Sequence, residues 1–408
     1  MRQRAWVRVG VAFAAAALVL TSCGNRGEDN NSGGGGDDAG KVAKIGVISP
    51  TSGDLSALGI GIRDSVDLAV KQANEKKLIP GWTLEVAAED DEGKPDVAKN
   101  AATKLANDDE VVAVVGTLNS STSQQVQPVL SAANITQVSP ANTGTELTQG
   151  ADWKTTPKRA YENYFRVCTT DAIQGPFAAR YVYNELKITE VATIHDKKTY
   201  GQGLAESFTA EFEKLGGKIV SKQTITPEDK DYSAVISKIK PKNPGLIYYG
   251  GEYPQAGPLK QQLKSNGVDA KLMGGDGTYS TEFIPLAGKA ASGFLATSIG
   301  APLNKLPAAE QYTKDYKAGG YKGDNSSYGA YSYDSATAIL NALKTSLKDA
   351  DDAKSARQAT VDAMKDVSFD GLSGEVAFDE YGDTTNRVLT VYEVKGDEFT
   401  DVNTEEFK

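Results

Sequence analysis

Hydroxyl-bearing residues follow two apolar segments at the point where each segment ends. Gly116–Ser121 comes directly after Val111–Val115, and Ser139–Thr143 follows the next such segment along the chain. Because a helix N-terminus offers unpaired N–H groups and partial positive charge, hydroxyls at such turns are suited to binding a carboxylate. Ser120 and Thr143 are therefore candidate ligand-binding residues, although an N-cap role explains Ser120 equally well.

Residues suited to enzyme or metal chemistry are sparse. His195 is the only histidine, and no Walker A loop, nucleophile elbow or complete Gly-x-Gly-x-x-Gly motif is present. We interpret His195 as a hydrogen-bonded structural residue. The acidic run Glu89–Glu92 lacks the spacing of a calcium-binding loop, and we interpret it as a solvated loop. Cys168 ends an apolar run and is predicted to be a buried thiol. We therefore expect no catalytic residues, no metal and no cofactor.

An apolar leader ends at a cysteine. A positively charged start precedes Val11–Leu20, which is short for a membrane span and typical of a secretory signal. Leu20–Cys23 resembles the lipobox of bacterial lipoproteins, which implies that residues 1–22 are removed and that Cys23 is lipidated. A plain signal peptide or an anchor helix is the alternative. Residues 23–40, rich in Gly, Asn and Asp, are predicted to form a flexible tether.

The net charge of −10 argues against a nucleic-acid partner, because no basic stripe is available to neutralise phosphates. Beyond the tether, short apolar segments alternate with amphipathic helical ones in two series, which predicts βαβ units, parallel sheets and two doubly wound α/β lobes. A hairpin is predicted over Glu375–Val394. The predicted strands are Lys44–Ile48, Leu84–Ala88, Val111–Val115, Ile135–Ser139, Tyr164–Cys168, Val191–His195, Lys218–Gln223, Leu246–Tyr249 and Lys271–Gly274.

Four segments, Val138–Thr143, Asp171–Pro176, Ile194–Gly203 and Ile247–Gly251, carry a family resemblance. In this order they resemble type I periplasmic binding proteins of the leucine/isoleucine/valine-binding family, the receptors of ABC importers. The resemblance implies two α/β lobes joined by three crossovers, with a ligand cleft between them. It also implies that residues 41–169 and 300–384 form lobe 1, and that residues 170–299 and 385–408 form lobe 2.

Several roles follow from the resemblance on the side of lobe 1. Ser120, Ala141 and Thr143 match the positions that hold the α-carboxylate and ammonium of an amino acid, with Ala141 acting through its backbone. Leu58 and Tyr328 match positions that line the side-chain pocket. Such a site suits a zwitterion, which needs donors for its carboxylate and an apolar wall for its side chain.

On the side of lobe 2, Asp276 matches an acidic residue that binds the ammonium, and Tyr200 matches an aromatic residue that closes over the ligand. Glu252 is a departure, since the family commonly has a tyrosine there. If Glu252 faces the ligand, an uncompensated second carboxylate favours a side chain with a donor or a positive charge. Alternatively, Glu252 points to solvent or to a lysine of the same chain.

The expected function is therefore non-catalytic. We interpret the chain as a monomeric, lipid-anchored receptor on the outer face of a bacterial cell membrane. It would deliver an amino acid, with a branched-chain one favoured, to ABC permease subunits. A sensory lipoprotein that signals rather than transports is the alternative, and an α/β enzyme is the third possibility, disfavoured by the missing motifs.

Overall fold

Two large β-sheets organise the residues that the structure, a computed structural model, describes: Gly40–Lys408. The predicted signal peptide and the predicted lipidation site Cys23 lie outside these residues. The first sheet contains β1 (Lys41–Ser49), β2 (Trp82–Asp90), β3 (Val111–Gly116), β4 (Thr136–Ser139) and β5 (Tyr164–Arg166). Its strands are all parallel and lie in the order β2-β1-β3-β4-β5.

The second sheet is mixed. The remaining strands are β6 (Glu190–His195), β7 (Lys218–Thr224), β8 (Leu246–Gly250), β9 (Lys271–Gly274), β10 (Leu295–Ser298), β11 (Ser368–Gly371), β12 (Gly374–Ala377), β13 (Val388–Lys395) and β14 (Glu398–Glu406). Seven of them form the sheet β14-β13-β10-β9-β8-β6-β7, in which β6 to β10 run parallel and β13 runs antiparallel to both of its neighbours. β11 and β12 pair separately.

Helices connect and cover the strands. They are α1 (Ser56–Glu75), α2 (Pro95–Ala106), α3 (Ser120–Ala132), α4 (Glu146–Gln149), α5 (Asp171–Arg180), α6 (Thr199–Lys214), α7 (Ser233–Ile239), α8 (Tyr253–Ser265), α9 (Phe283–Ala287), α10 (Ala309–Ala318), α11 (Gly329–Ser346) and α12 (Arg357–Met364). Within residues 40–408, no helix combines the length and the apolar character needed to cross a bilayer.

Local sequence explains these elements well. Every residue of β3 is apolar or glycine and every one is buried, as expected for a strand covered on both faces of a parallel sheet. In α1, the buried residues Ile62, Val66, Ala69 and Ala73 recur at intervals of three and four, which places them on one side of the helix, facing the core. Strand and helix periodicity therefore build the two layers from which the site loops emerge.

The chain passes between the two sheets three times. After β5 it continues into α5, which packs against α6 beside the second sheet. After β10 it returns, because α11 packs on α1 and β4 and α12 packs on β3. It leaves once more before β13, which pairs with β10. This topology confirms the predicted fold class, two α/β lobes joined by three crossovers.

The predicted hairpin over Glu375–Val394 is wrong. β12 pairs with β11, whereas β13 pairs with β10 and β14, so the two halves of the segment belong to different sheets. Between β12 and β13, a single antiparallel β-bridge pairs Phe378 with Thr384 and encloses a turn. The turn instead carries Asp383 to the buried guanidinium of Arg166, at 2.5 Å. Alternation of apolar residues indicates strands but does not select their partners.

The acidic run is not simply a solvated loop. β2 pairs with β1 as far as Asp90, and the next residue, Asp91, turns inward and is fully buried. Its carboxylate accepts a hydrogen bond from the Gly93 N–H at 2.8 Å. Burial raises the pKa of Asp91 to about 7. The sheet register, which the local sequence does not specify, is the reason that the prediction failed at this residue.

Two other predictions about single residues are confirmed. Cys168 is buried, and its thiol donates to the backbone carbonyl of Asn142 at 3.3 Å. His195 ends β6, and its Nδ1 accepts a hydrogen bond from the Lys197 N–H at 3.2 Å. Both residues have the structural environments expected of them.

Candidate ligand-binding site

A small cavity, of about 20 Å³, lies among the loops that follow the strands of both sheets. This is the edge where open α/β sheets bind ligands. Every residue predicted from the sequence to bind ligand lies on the cavity wall except Thr143. The wall consists of Leu55, Leu58, Leu118, Asn119, Ser120, Ala141, Tyr200, Glu252, Asp276, Gly277 and Tyr328.

Asp276 is held at the cavity by three neutral donors. Tyr200 Oη donates to its Oδ1 at 2.8 Å, Gln174 Nε2 donates to the same oxygen at 2.9 Å, and Tyr328 Oη donates to Oδ2 at 2.9 Å. Burial raises the pKa of Asp276, although the three hydrogen bonds act in the opposite direction. The carboxylate therefore lacks a compensating cation among the residues that touch it.

The glycines around Asp276 permit this close packing. Asp276 follows β9 and begins a short 3₁₀ turn. A Cβ atom at Gly275 would lie 2.5 Å from Tyr200 Oη, and one at Gly277 would lie 2.9 Å from the ring of Tyr200. Only glycine at these two positions lets the Tyr200 ring approach the backbone so closely. The Tyr200 hydroxyl also accepts a hydrogen bond from the Gly277 N–H at 3.0 Å. The motif Gly274–Gly277 thus positions both the carboxylate and the aromatic ring.

The opposite wall carries the loops that follow β3 and β4. Ser120 is the first residue of α3 and is buried, and its Oγ accepts the Gly144 N–H at 3.2 Å. The hydroxyl proton of Ser120 is therefore available to a ligand. Ala141 lies on the wall, and its N–H donates to Ser139 Oγ at 3.2 Å, so its carbonyl is the backbone group it can offer a ligand.

Thr143 is placed differently from the prediction. It is fully buried behind the cavity wall, and its backbone carbonyl accepts the Asp171 N–H at 2.8 Å. Its hydroxyl has no hydrogen-bond partner within residues 40–408. The structure brings the other predicted residues together around the cavity and leaves Thr143 outside its wall.

A buried arginine positions the loop that contains Ala141. Arg166 Nη1 donates to the carbonyls of Asn142 at 2.7 Å and Gly144 at 2.8 Å, while its Nε donates to Asp383 at 2.5 Å. Arg166 is fully buried, and the charge of Asp383 compensates it. The ion pair therefore fixes the backbone of a site loop from outside the cavity.

Glu252 has both of the environments considered for it from the sequence. It is buried on the cavity wall, and its Oε2 accepts a hydrogen bond from Lys198 Nζ at 2.8 Å. Its Oε1 accepts one from Asn119 Nδ2. Burial lowers the pKa of Lys198, but the charge of Glu252, the hydrogen bond to Glu252 and the charges of Asp196 and Glu228 together outweigh burial and raise this pKa. Glu252, Lys198 and Asn119 are called the Glu252 network below.

Several site residues were missed in the sequence. Leu118 and Asn119 lie in the very loop that contains Ser120, so their position was the available signal. Leu55 directly precedes α1 and lies three residues before Leu58, which places both side chains near one another at the start of that helix. Gln174 belongs to a segment that carries the family resemblance, but nothing in the sequence connects it to Asp276.

A further buried carboxyl group, Asp171, lies close behind the site. It begins α5, and neither of its oxygens has a hydrogen-bond partner within the described residues. Burial, and next the negative charge of Asp276, raise the pKa of Asp171 well above the ordinary value. Among residues 40–408, no three His, Cys, Asp or Glu side chains lie together in a way that could hold a metal ion.

The arrangement can bind a small zwitterion. One wall offers the Ser120 hydroxyl at a helix N-terminus, which suits a carboxylate, and the Ala141 carbonyl, which suits an ammonium group. The facing wall offers the Asp276 carboxylate, which suits an ammonium group. Leu55, Leu58 and Leu118 add apolar surface between them.

Comparison with known proteins agrees with this geometry. The profile of the periplasmic binding protein family matches residues 42–398. An amino acid binding protein of Pseudomonas aeruginosa is 31% identical over 351 residues, covering 86% of this chain and 89% of that protein. A leucine-, isoleucine-, valine-, threonine- and alanine-binding protein of the same species is 30% identical over 357 residues, covering 87% of this chain and 90% of that protein.

A solved structure gives the same result at the level of the fold. The branched-chain amino acid transporter substrate-binding protein of Streptococcus pneumoniae, in complex with isoleucine, superposes with a TM-score of 0.78 at 26% identity. The superposition covers 90% of this chain and 99% of that one. The family binds substrates rather than converting them. Its sequence profile spans most of the chain, and the chain therefore belongs to the periplasmic binding protein family.

Proposed function

We propose that the chain captures an aliphatic amino acid, with leucine, isoleucine or valine favoured, and delivers it to the permease of an ABC importer. The observation that carries this proposal is Asp276, a buried carboxylate on the cavity wall whose hydrogen-bond donors are all neutral. Such a carboxylate is suited to a ligand ammonium group, because the ligand supplies the missing positive charge.

Binding of the two ends of the ligand from opposite sides supports a closing mechanism. Ser120 and the Ala141 backbone belong to loops of the first sheet, whereas Asp276 follows a strand of the second. We propose that the first lobe comprises residues 41–169 and 300–384, and the second comprises residues 170–299 and 385–408. Closure then gains only those contacts that the ligand makes with both lobes at once.

The apolar part of the wall supports an aliphatic side chain. Leu55, Leu58 and Leu118 converge there, and the cavity is small. The Glu252 network is charge-compensated, so the second carboxylate does not require a cationic ligand side chain. The name of one relative in Pseudomonas aeruginosa, a leucine-, isoleucine-, valine-, threonine- and alanine-binding protein, supports the same choice.

We propose further that the mature protein is a monomer held at the outer face of the membrane by lipid on Cys23. The lipobox-like Leu20–Cys23 and the Gly-rich residues 23–40 support an anchor with a flexible tether. A tether raises the effective concentration of a receptor near its permease. Cys23→Ser is expected to move the protein from the membrane fraction to the soluble extracytoplasmic fraction, whereas Cys168→Ser leaves it membrane-bound.

Isothermal titration calorimetry against the twenty amino acids tests the ligand proposal. We expect saturable binding of leucine, isoleucine or valine and no binding of nucleotides or sugars. Binding of an unrelated solute with no response to any aliphatic amino acid would contradict it. Co-purification with a permease, in place of a membrane kinase, tests the transport role separately.

A further inference from the structure

We propose that Glu252 sets the specificity of the cavity by occupying two donors that otherwise bind the side-chain carboxylate of an acidic amino acid. The proposal rests on the proposed function, because it takes the cavity to be an amino-acid site. It assigns to one residue both the exclusion of acidic ligands and the upper limit on side-chain length.

Glu252 separates two spaces. It lies on the wall of the cavity of about 20 Å³ and also on the wall of an outer groove of about 470 Å³. Among residues 40–408, Leu55 is the only other one that borders both spaces. Several charged residues border the outer groove, including Lys94 and Glu228. Removal of the Glu252 side chain would therefore extend the cavity toward these charged residues.

The carboxylate of Glu252 fills a ready-made carboxylate site. Lys198 Nζ donates to one oxygen at 2.8 Å, and Asn119 Nδ2 donates to the other. The lysine side chain is 23% exposed and the glutamate side chain 7% exposed, so the pair is largely shielded from water. Two donors that converge on one carboxylate from different loops are the arrangement expected of a binding site for an external carboxylate.

The two donors come from opposite sides of the cavity. Asn119 directly precedes α3 beside the first sheet, whereas Lys198 and Glu252 directly precede α6 and α8 beside the second. The Glu252 carboxylate therefore links loops of both sheets, as a ligand does when it is clamped between them. Its neighbour Tyr253 makes a parallel link, with its hydroxyl donating to the Asp54 carbonyl at 2.6 Å.

The same geometry explains why acidic ligands are rejected while Glu252 is present. A ligand carboxylate directed at this wall finds both donors occupied and a negative charge in place. Asp91 and Asp196, two further buried carboxyl groups, lie close enough to Lys198 to interact with its charge. A neutral aliphatic side chain meets only the compensated pair and the leucine wall.

The test is calorimetry of the purified protein with leucine, glutamate and 2-aminoadipate. Wild type is expected to bind leucine and neither acidic ligand. Glu252→Ala is expected to bind glutamate or 2-aminoadipate at least tenfold more tightly than wild type does, because Lys198 and Asn119 become available. Adding Lys198→Met is expected to abolish that gain. Glu228→Ala, which removes one negative charge from the outer groove without freeing either donor, is the matched control and should show no gain.

The outcomes separate this proposal from the proposed function. If wild type and Glu252→Ala both bind leucine but neither acidic ligand improves, the specificity role is wrong and the amino-acid site stands. If Glu228→Ala gives the same gain as Glu252→Ala, general charge rather than the two donors is responsible, and the proposal is overturned. If no variant binds any amino acid, both proposals fail. Glu252→Ser, which keeps a polar group for Asn119, replaces Glu252→Ala if the alanine variant loses its cooperative thermal transition.

Discussion

The two carboxylates on the cavity wall, Asp276 and Glu252, are both buried, but they are compensated in different ways. Asp276 is surrounded by the hydroxyls of two tyrosines and the amide of Gln174, all of them neutral. Glu252 is paired with the ammonium of Lys198. One end of the cavity therefore has an unbalanced negative charge, and the other end is balanced within the protein.

This difference indicates how the cavity tells the two ends of a ligand apart. An unpaired buried carboxylate gains most from a cationic group, because desolvation has already been imposed on it by the fold. A carboxylate that is already paired gains little free energy from contact with a ligand, so it only lines the cavity. The positions are thus chemically distinct although both residues are acidic, and four experiments can break or sharpen this distinction.

The largest effect is expected at the unbalanced end. Asp276→Asn keeps the size of the side chain but removes its charge, and the affinity for leucine is expected to fall about 100-fold, or about 3 kcal/mol. Calorimetry measures the change. The melting temperature without ligand should stay equal or rise, because an ionised buried carboxylate is costly. Affinity within threefold of wild type would show that Asp276 does not contact the ammonium.

The next effect concerns stability at the balanced end. Lys198→Met leaves Glu252 buried without its cation and is expected to lower the free energy of unfolding by about 1–3 kcal/mol. The double variant Lys198→Met with Glu252→Gln should lose less than the sum of the single variants, since the pair is removed together. Urea unfolding of the four proteins measures the coupling. Strict additivity would mean that the ion pair contributes nothing.

A pH-dependent effect is expected beside the same network. The pKa of Asp91 is about 7 in the folded protein, above the ordinary value for aspartate, because the group is buried. The contribution of Asp91 to the free energy of unfolding is therefore fully present at low pH and is lost as the pH rises through about 7. Asp91→Asn is expected to raise the free energy of unfolding by about 1–2 kcal/mol at pH 8 and to change it little at pH 4. An equal gain at both values would exclude this cause.

The smallest effect is expected across the cavity. Ser120→Ala removes one neutral hydroxyl donor and is expected to weaken leucine binding about fivefold, or about 1 kcal/mol. The adjacent Ser121→Ala, whose side chain does not border the cavity, is the matched control. Equal affinities of both variants in calorimetry would show that the Ser120 hydroxyl does not contact the ligand.

Much of the fold could be predicted from local sequence. The apolar run of β3 and the spacing of three and four residues in α1 predict their elements directly. A strand buried on both faces is apolar throughout, and a helix buried on one side is apolar at every third or fourth residue. Strand pairing was less predictable. Val388–Lys395 joined β10 and β14 instead of folding back on its predicted partner, because the edge of the second sheet was available to it.

The site was predictable where it lies on sequence motifs. Loops after β3, β4 and β9 carried Ser120, Ala141 and Asp276 to the cavity as the resemblance implied. Thr143 is buried and does not line the cavity, whereas Leu55 lines it although no sequence motif indicated this. A loop motif indicates which backbone approaches the ligand, but which side chain reaches it depends on packing from the other sheet.

The sequence alone determined the order of strands and helices, the family and the loops that form the site, because these depend on short-range patterns. Only the tertiary structure decided the charge state of the two ends of the cavity. Lys198 lies 54 residues before Glu252, and Gln174 lies 102 residues before Asp276. Whether a carboxylate contacts a cation or a neutral donor depends on how elements distant in sequence pack. Burial makes the difference large, because electrostatic interactions are stronger away from water.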